Sequence, residues 1–103
     1  MISAILLAAG QSQRLIKENK LIKIYKNKPL VNYALNSLIK SKVDKIILVL
    51  GYEKNKVKKA AIKGRKVKFI FNQNYKKGMS TSIKYGLSKI NKKNKGFIIV
   101  QSD

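Results

Sequence analysis

Residues 2–14, ISAILLAAGQSQR, decide the fold. Ile2 to Leu7 is an unbroken apolar run. Such a run fits a strand buried on both faces of a parallel sheet, because a strand with one wet face would alternate. It falls well short of the roughly 18 apolar residues of a membrane span. No cationic stretch precedes it, so it does not read as a secretion signal, and the default compartment is the cytoplasm. Beyond the strand the chain turns small and polar. Ala8, Ala9 and Gly10 let backbone N–H groups approach a ligand closely, and such a turn can cradle phosphate oxygens or lie under a base. Gln11 and Ser12 continue the loop, and Arg14 and Lys20 supply positive charge suited to a triphosphate. The spacing matches neither a Walker loop nor the dinucleotide fingerprint. The alternative is a plain strand-to-loop turn with two surface bases.

Working outward, three further apolar runs repeat the theme. Lys45–Leu50 (KIILVL), Val67–Phe71 (VKFIF) and Gly96–Val100 (GFIIV) read as strands. Between them lie helical patterns. Pro29 suits a first turn, and Leu30, Val31, Ala34, Leu35, Leu38 and Ile39 then recur at helical spacing to about Ser41. Val57, Ala60, Ala61 and Ile62 suggest a short basic helix ended by Gly64. Ser80 is placed to cap a helix whose Ile83, Leu87 and Ile90 share a face. The order β-α-β-α-β-α-β, with crossovers of this length, predicts parallel strands joined by right-handed connections. The expected fold is a three-layer α/β open parallel sheet with helices on both faces. Ligands bind such sheets beyond the carboxyl ends of the strands, at residues 8–14, 51–53, 72–79 and 101–103.

The chain has 103 residues, enough for one domain, and 45% of them are hydrophobic, too many for a disordered tail. There is no Cys and no His. Disulfides, thiolate metal sites, a Cys nucleophile and a His general base are therefore excluded. Lys and Arg number 24 against 4 Asp and Glu, for a net charge of +20. That balance raises the possibility of a basic nucleic-acid-binding module. Against it, 22 of the bases are Lys and only 2 are Arg, and they are spread along the whole chain. Specific base and phosphate reading favours the planar fork of Arg. Ile, Lys and Asn together make 45 residues, all three with AT-rich codons, so genome bias accounts for the charge. Nonspecific attraction to polyanions at low salt is expected either way.

The third loop and helix start, NQNYKKGMSTS, combines Gly78 with hydroxyls and amides that could read a base or ribose edge. It is equally a turn followed by a capped helix. Tyr75 and Tyr85 could stack on a ligand, though packing is the commoner use. Asp103 ends the last strand, where a carboxylate is placed to hold Mg²⁺, a cation that prefers hard oxygen ligands. Taken alone, it is an ordinary terminal polar residue.

Together, LLAAGQSQRL, ENKLIKIYKNKPLV, NQNYKKGMSTSIKYG and IIVQSD resemble, in order and spacing, the MobA/MocA-like NTP transferases, especially the molybdenum cofactor cytidylyltransferase branch. The resemblance covers essentially the whole chain. It implies a Rossmann-like fold of the nucleotide-diphospho-sugar transferase type, cut after the fourth strand. Residues 1–103 would be the N-terminal nucleotide-binding half. It implies further that Ala8, Ala9 and Gly10 line the nucleotide pocket and that Gln11, Ser12 and Arg14 surround the phosphates. Lys20 would contact the NTP phosphates, making Arg14 and Lys20 the catalytic cations. Gly78, Met79, Ser80 and Ser82 would lie beside the base and ribose, and Asp103 would bind Mg²⁺. The reaction implied is attack by a phosphorylated acceptor, such as molybdopterin, on the α-phosphate of an NTP (CTP favoured), releasing pyrophosphate.

The chain departs from the family pattern at Leu15 and Ile16, where Met-Gly is usual, and at Ser102, where Gly is common. It is also little more than half the family's length. A truncated gene product is the favoured explanation. A split enzyme whose second chain supplies the missing half, and a non-catalytic nucleotide-binding remnant, are the others. In the split case the fourth strand would be an exposed edge.

Overall fold

A computed structural model describes residues 2–9, 22, 24–90 and 96–101. The elements in order are β1 (Ile2–Ala8), β2 (Ile24–Tyr25), β3 (Lys28–Pro29), α1 (Leu30–Lys40), β4 (Lys45–Leu50), α2 (Lys54–Ala60), β5 (Val67–Phe71), α3 (Met79–Ser88) and β6 (Gly96–Gln101). A single 3₁₀ turn, Tyr75–Lys77, precedes α3.

Four strands form one sheet in the order β5-β4-β1-β6. Every pairing in it is parallel, with Ile5 opposite Ile47 on one side and Ile99 on the other. The chain builds the sheet outward from β1 in one direction, then returns to place β6 on the opposite side. That reversal between β1 and β6 is where sheets of this kind bind ligands. The continuous apolar runs are explained by their surroundings, since Ala4 through Ala8 of β1 and Ile46 through Leu50 of β4 are all buried.

Alternate residues of these strands feed two cores. Ala4, Leu6, Ala8, Ile46, Leu48 and Leu50 pack with Val31, Leu35 and Leu38 of α1 and Val57 of α2. Ile5, Leu7, Ala9, Ile47, Val49 and Ile70 pack on the other face with Ile83, Tyr85, Leu87 and Ile90. Helices thus cover both faces, as the sequence predicts. Each fully buried Leu or Ile contributes about 1.5–3 kcal/mol over leaving it exposed, so the central strands hold the domain together.

Three local expectations are corrected. β2 and β3 form a small antiparallel hairpin where the sequence suggests only a polar stretch up to Lys28, and Pro29, expected in the first turn of α1, ends β3 instead. The hairpin's turn residues Lys26 and Asn27 have positive φ, 48° and 78°, which matches a two-residue hairpin turn. Helix α2 starts at Lys54 and stops at Ala60, with Ala61 already extended, rather than running to Gly64. Helix α3 is preceded by Gly78, not capped by Ser80, because Gly78 at φ 116° turns the chain into the helix two residues earlier. That φ lies where a Cβ is strained, so glycine is required there.

The two sheet edges differ. β5 carries the exposed Lys68, and the ammonium groups of Lys54 and Lys58 lie 4.1 Å and 5.7 Å from the ring centres of Phe71 and Phe69. β6 has no charged residue, and its Phe97, Ile98 and Ile99 are all exposed. Among the described residues, no helix is long and apolar enough to cross a membrane.

Candidate nucleotide site

The carboxyl ends of the strands are tied into one surface by a series of contacts. The Ala9 carbonyl accepts the Tyr52 N–H at 3.0 Å, joining the exits of β1 and β4. The two exits and Tyr75 are so close at Gly51 that a Cβ there would lie 2.6 Å from Ala9 O and from Tyr75 Cβ. Glycine at that position is a requirement of packing. The Asn72 N–H donates to Leu50 O at 2.8 Å, joining the exits of β4 and β5. The Gln101 amide donates to the Met79 Sδ at 3.5 Å, joining the start of α3 to the end of β6.

Asn72 organises the loop before α3. It is 3% exposed. Its Nδ2 donates to Thr81 Oγ1 and to Ser82 Oγ, both at 2.9 Å, and its Oδ1 accepts the Asn74 N–H at 2.9 Å. The Thr81 hydroxyl lies 2.7 Å from Gly78 O and 3.0 Å from Asn74 O. Asparagine suits this place because one side chain both accepts and donates. The network fixes where α3 begins and hence where its first N–H groups lie.

The resemblance-derived residues therefore separate into groups. Ala8 and Ala9 stand at the end of β1 with their side chains in opposite cores, so a ligand would meet their backbone. Gly78, Met79 and Ser80 are exposed at the start of α3. Ser82 is buried, with its hydroxyl engaged by Asn72, and braces the loop. Gly10, Gln11, Ser12, Arg14, Lys20 and Asp103 lie outside the described residues. Tyr85, on α3, packs in the second core.

Two neighbours were not singled out from the sequence as site residues. Tyr52 has a half-buried ring, tilted 55° to that of Tyr75 with centroids 6.5 Å apart. Glu53 follows in the left-handed conformation, φ 52° and ψ 45°, and its carboxylate pairs with Lys56 at 2.7 Å. The hydrogen bond and then the charge of Glu53 push the Lys56 ammonium pKa above its ordinary 10.5. The topology places residues 51–53 at the carboxyl end of a strand, and the Gly-aromatic pair directly after that buried strand is the further sequence signal for this corner.

For a metal, the described residues offer little. Asp44 accepts the Ile2 N–H at the opposite end of the sheet, and Glu53 is paired with Lys56. No group of three metal-ligating side chains occurs among the described residues.

A family model for the MobA-like NTP transferase domain matches residues 4–103. The chain belongs to that family. Solved structures agree in fold with this MobA-like domain. A nucleotidyl transferase from Methanothermobacter thermautotrophicus is 22% identical with a TM-score of 0.86, covering 100% of this chain and 50% of its own. Rv0371c from Mycobacterium tuberculosis is 22% identical with a TM-score of 0.84, covering 99% of this chain and 51% of its own. The 4-diphosphocytidyl-2C-methyl-D-erythritol synthase of Anaerococcus prevotii is 20% identical with a TM-score of 0.69, covering 98% and 42%. A further Rv0371c structure is a manganese complex. The MobA-like domain described here thus spans about half the length of these structures. No curated protein matches it.

Proposed function

We propose that this chain is the nucleotide-binding half of a nucleotidyltransferase. In this reading it holds an NTP while a phosphorylated acceptor attacks the α-phosphate and pyrophosphate leaves. The observation that carries the reading is the convergence of the Ala9, Gly51–Tyr52, Asn72–Met79 and Gln101 segments at the carboxyl end of the sheet. Family membership supplies the class of chemistry.

The backbone of Ala8, Ala9 and Gly10 would border the nucleotide, and Gln11, Ser12, Arg14 and Lys20 would neutralise its phosphates. Gly78, Met79 and Ser80 would lie beside base and ribose, with Ser82 holding their loop in shape. Mg²⁺ would be held by Asp103 together with NTP phosphates and would neutralise charge that develops on them. CTP is the favoured nucleotide and molybdopterin a fitting acceptor, both by resemblance to the cytidylyltransferase branch. A second polypeptide, or further chain, would supply the acceptor side.

Binding is tested by the melting temperature in millimolar CTP, ATP or GTP with Mg²⁺. A rise that Arg14→Ala or Lys20→Ala abolishes is the expected result. No rise with any NTP refutes the reading. A second reading is favoured by the exposed lysines of α2 and the loop after it, namely generic polyanion binding. Nucleic-acid affinity that vanishes between low and moderate salt would mark that attraction as nonspecific.

A further inference from the structure

We propose that Tyr52 is the platform on which the nucleobase stacks. This rests on the nucleotide reading above and assigns one of its determinants. The Gly51–Tyr52–Glu53 corner is built more tightly than a connecting turn needs. Gly51 sits against Ala9 and Tyr75 with no room for a Cβ. The Tyr52 N–H is tied to the Ala9 carbonyl, the last described residue before the loop expected to hold the phosphates. Glu53 holds a left-handed conformation that a residue with a Cβ rarely adopts. Strained non-glycine residues of this kind gather at ligand sites, where the surrounding structure holds them in place.

The corner keeps an aromatic ring at the carboxyl end of the sheet, partly accessible, and backed by Tyr75 at a separation normal for aromatic pairs. Tyr75 in turn packs on the second core, so the backing is anchored. A base laid on the open part of the ring would gain contact through its π-face, which every base possesses. The ring therefore separates nucleotides from bare phosphates rather than one base from another.

The test is calorimetric titration of the full chain with CTP, ATP and inorganic tripolyphosphate, each with Mg²⁺. Tyr52→Ala should weaken CTP and ATP roughly tenfold, within the range of base–aromatic stacking, and leave tripolyphosphate unchanged. Tyr52→Phe should behave as the wild type. Unchanged tripolyphosphate affinity also shows that the alanine variant is folded. Equal CTP affinity in wild type and Tyr52→Ala overturns the assignment. So does a parallel loss of CTP and tripolyphosphate, which would mark the ring as structural, and so does a loss in Tyr52→Phe, which would put the hydroxyl in charge. A wild type that binds tripolyphosphate as tightly as CTP overturns it as well. A wild type that binds no NTP refutes the nucleotide reading itself, and this assignment with it.

Discussion

Replacing Asn72 with alanine removes three hydrogen bonds at once, and their environments decide the cost. Asn74 is exposed and Thr81 half-buried, so water can take over the Asn74 N–H and the Thr81 hydroxyl. Ser82 is 3% exposed, so its hydroxyl loses its partner without gaining water. An unpartnered buried polar group costs about 1–3 kcal/mol, and the two replaceable bonds add a fraction of their usual ~1 kcal/mol each. The expected total is about 2–3 kcal/mol, a large share of the roughly 5–15 kcal/mol of a typical domain. At about 4–8 °C per kcal/mol for a chain of this size, melting should fall by roughly 8–24 °C. Urea unfolding followed by circular dichroism measures the loss, with an unchanged slope if both end states keep their compactness. The double variant with Ser82→Ala is the sharper assay, because removing both partners leaves no orphan. The pair should be coupled by about 1 kcal/mol or more. A loss below about 0.5 kcal/mol, or additive single effects, would refute the idea that Asn72 holds the α3 entrance together.

Gly51→Ala should cost about 1–3 kcal/mol in urea unfolding, because the new Cβ meets the Ala9 carbonyl, part of a buried backbone that cannot swing away. Lys66→Met should cost about 0.3–1 kcal/mol, since the ammonium donates to Ile39 O and Ser41 O at the carboxyl end of α1, where positive charge is favoured. The NMR titration of Lys56 should lie above 10.5 and return to the ordinary value in Glu53→Gln. Because the folded pKa is raised, any stability from this pair is full below 10.5 and disappears as pH climbs past the folded value. Raising salt from about 0.05 M to about 0.5 M screens the self-repulsion of the +20 chain and should promote association through β6, measured by sedimentation velocity. Ile98→Lys should suppress that association, and an unaltered association would exonerate this edge.

The sheet was legible because its central strands are buried on both faces. KIILVL has one stable arrangement, with Ile46, Leu48 and Leu50 in one core and Ile47 and Val49 in the other. The β2–β3 hairpin was not legible, because two-residue strands leave no periodicity, and Lys-Asn is a weak turn signal. The start of α2 was hidden for a related reason. Its first turn, Lys54 to Lys56, has no apolar residue, and only Val57 is buried. At the site, the small residues Ala8 and Ala9 were readable as a close backbone approach, whereas the helix start at Gly78 was not, because Ser80 two residues later carries the commoner cap chemistry. The Asn72 network was not, because hydrogen-bond partners nine and ten residues apart meet only once the 3₁₀ turn has folded between them.

The lysine excess takes on a different meaning once its members are placed. Lys63 donates to carbonyls of Lys58, Lys59 and Ala61 at the end of α2, and Lys66 does the same for α1. Both satisfy carbonyls that helix ends leave without partners. Lys54 and Lys58 lie over Phe71 and Phe69 and cover the outer strand β5. A cationic cover of this kind is a common defence of a sheet edge against pairing with another chain. The same chain, rich enough in lysine to guard one edge, leaves Gly96–Gln101 without a charge. Codon bias supplies lysine without regard to position, so it does not explain why, among the described residues, lysines lie over β5 and none over β6. A bare apolar edge persists without aggregation when something pairs with it, and the solved relatives carry about as much additional chain as this domain contains. Among the described residues, the contrast between β5 and β6 makes the β6 side, next to the crevice where the nucleotide is proposed to bind, the place where a further strand would pair.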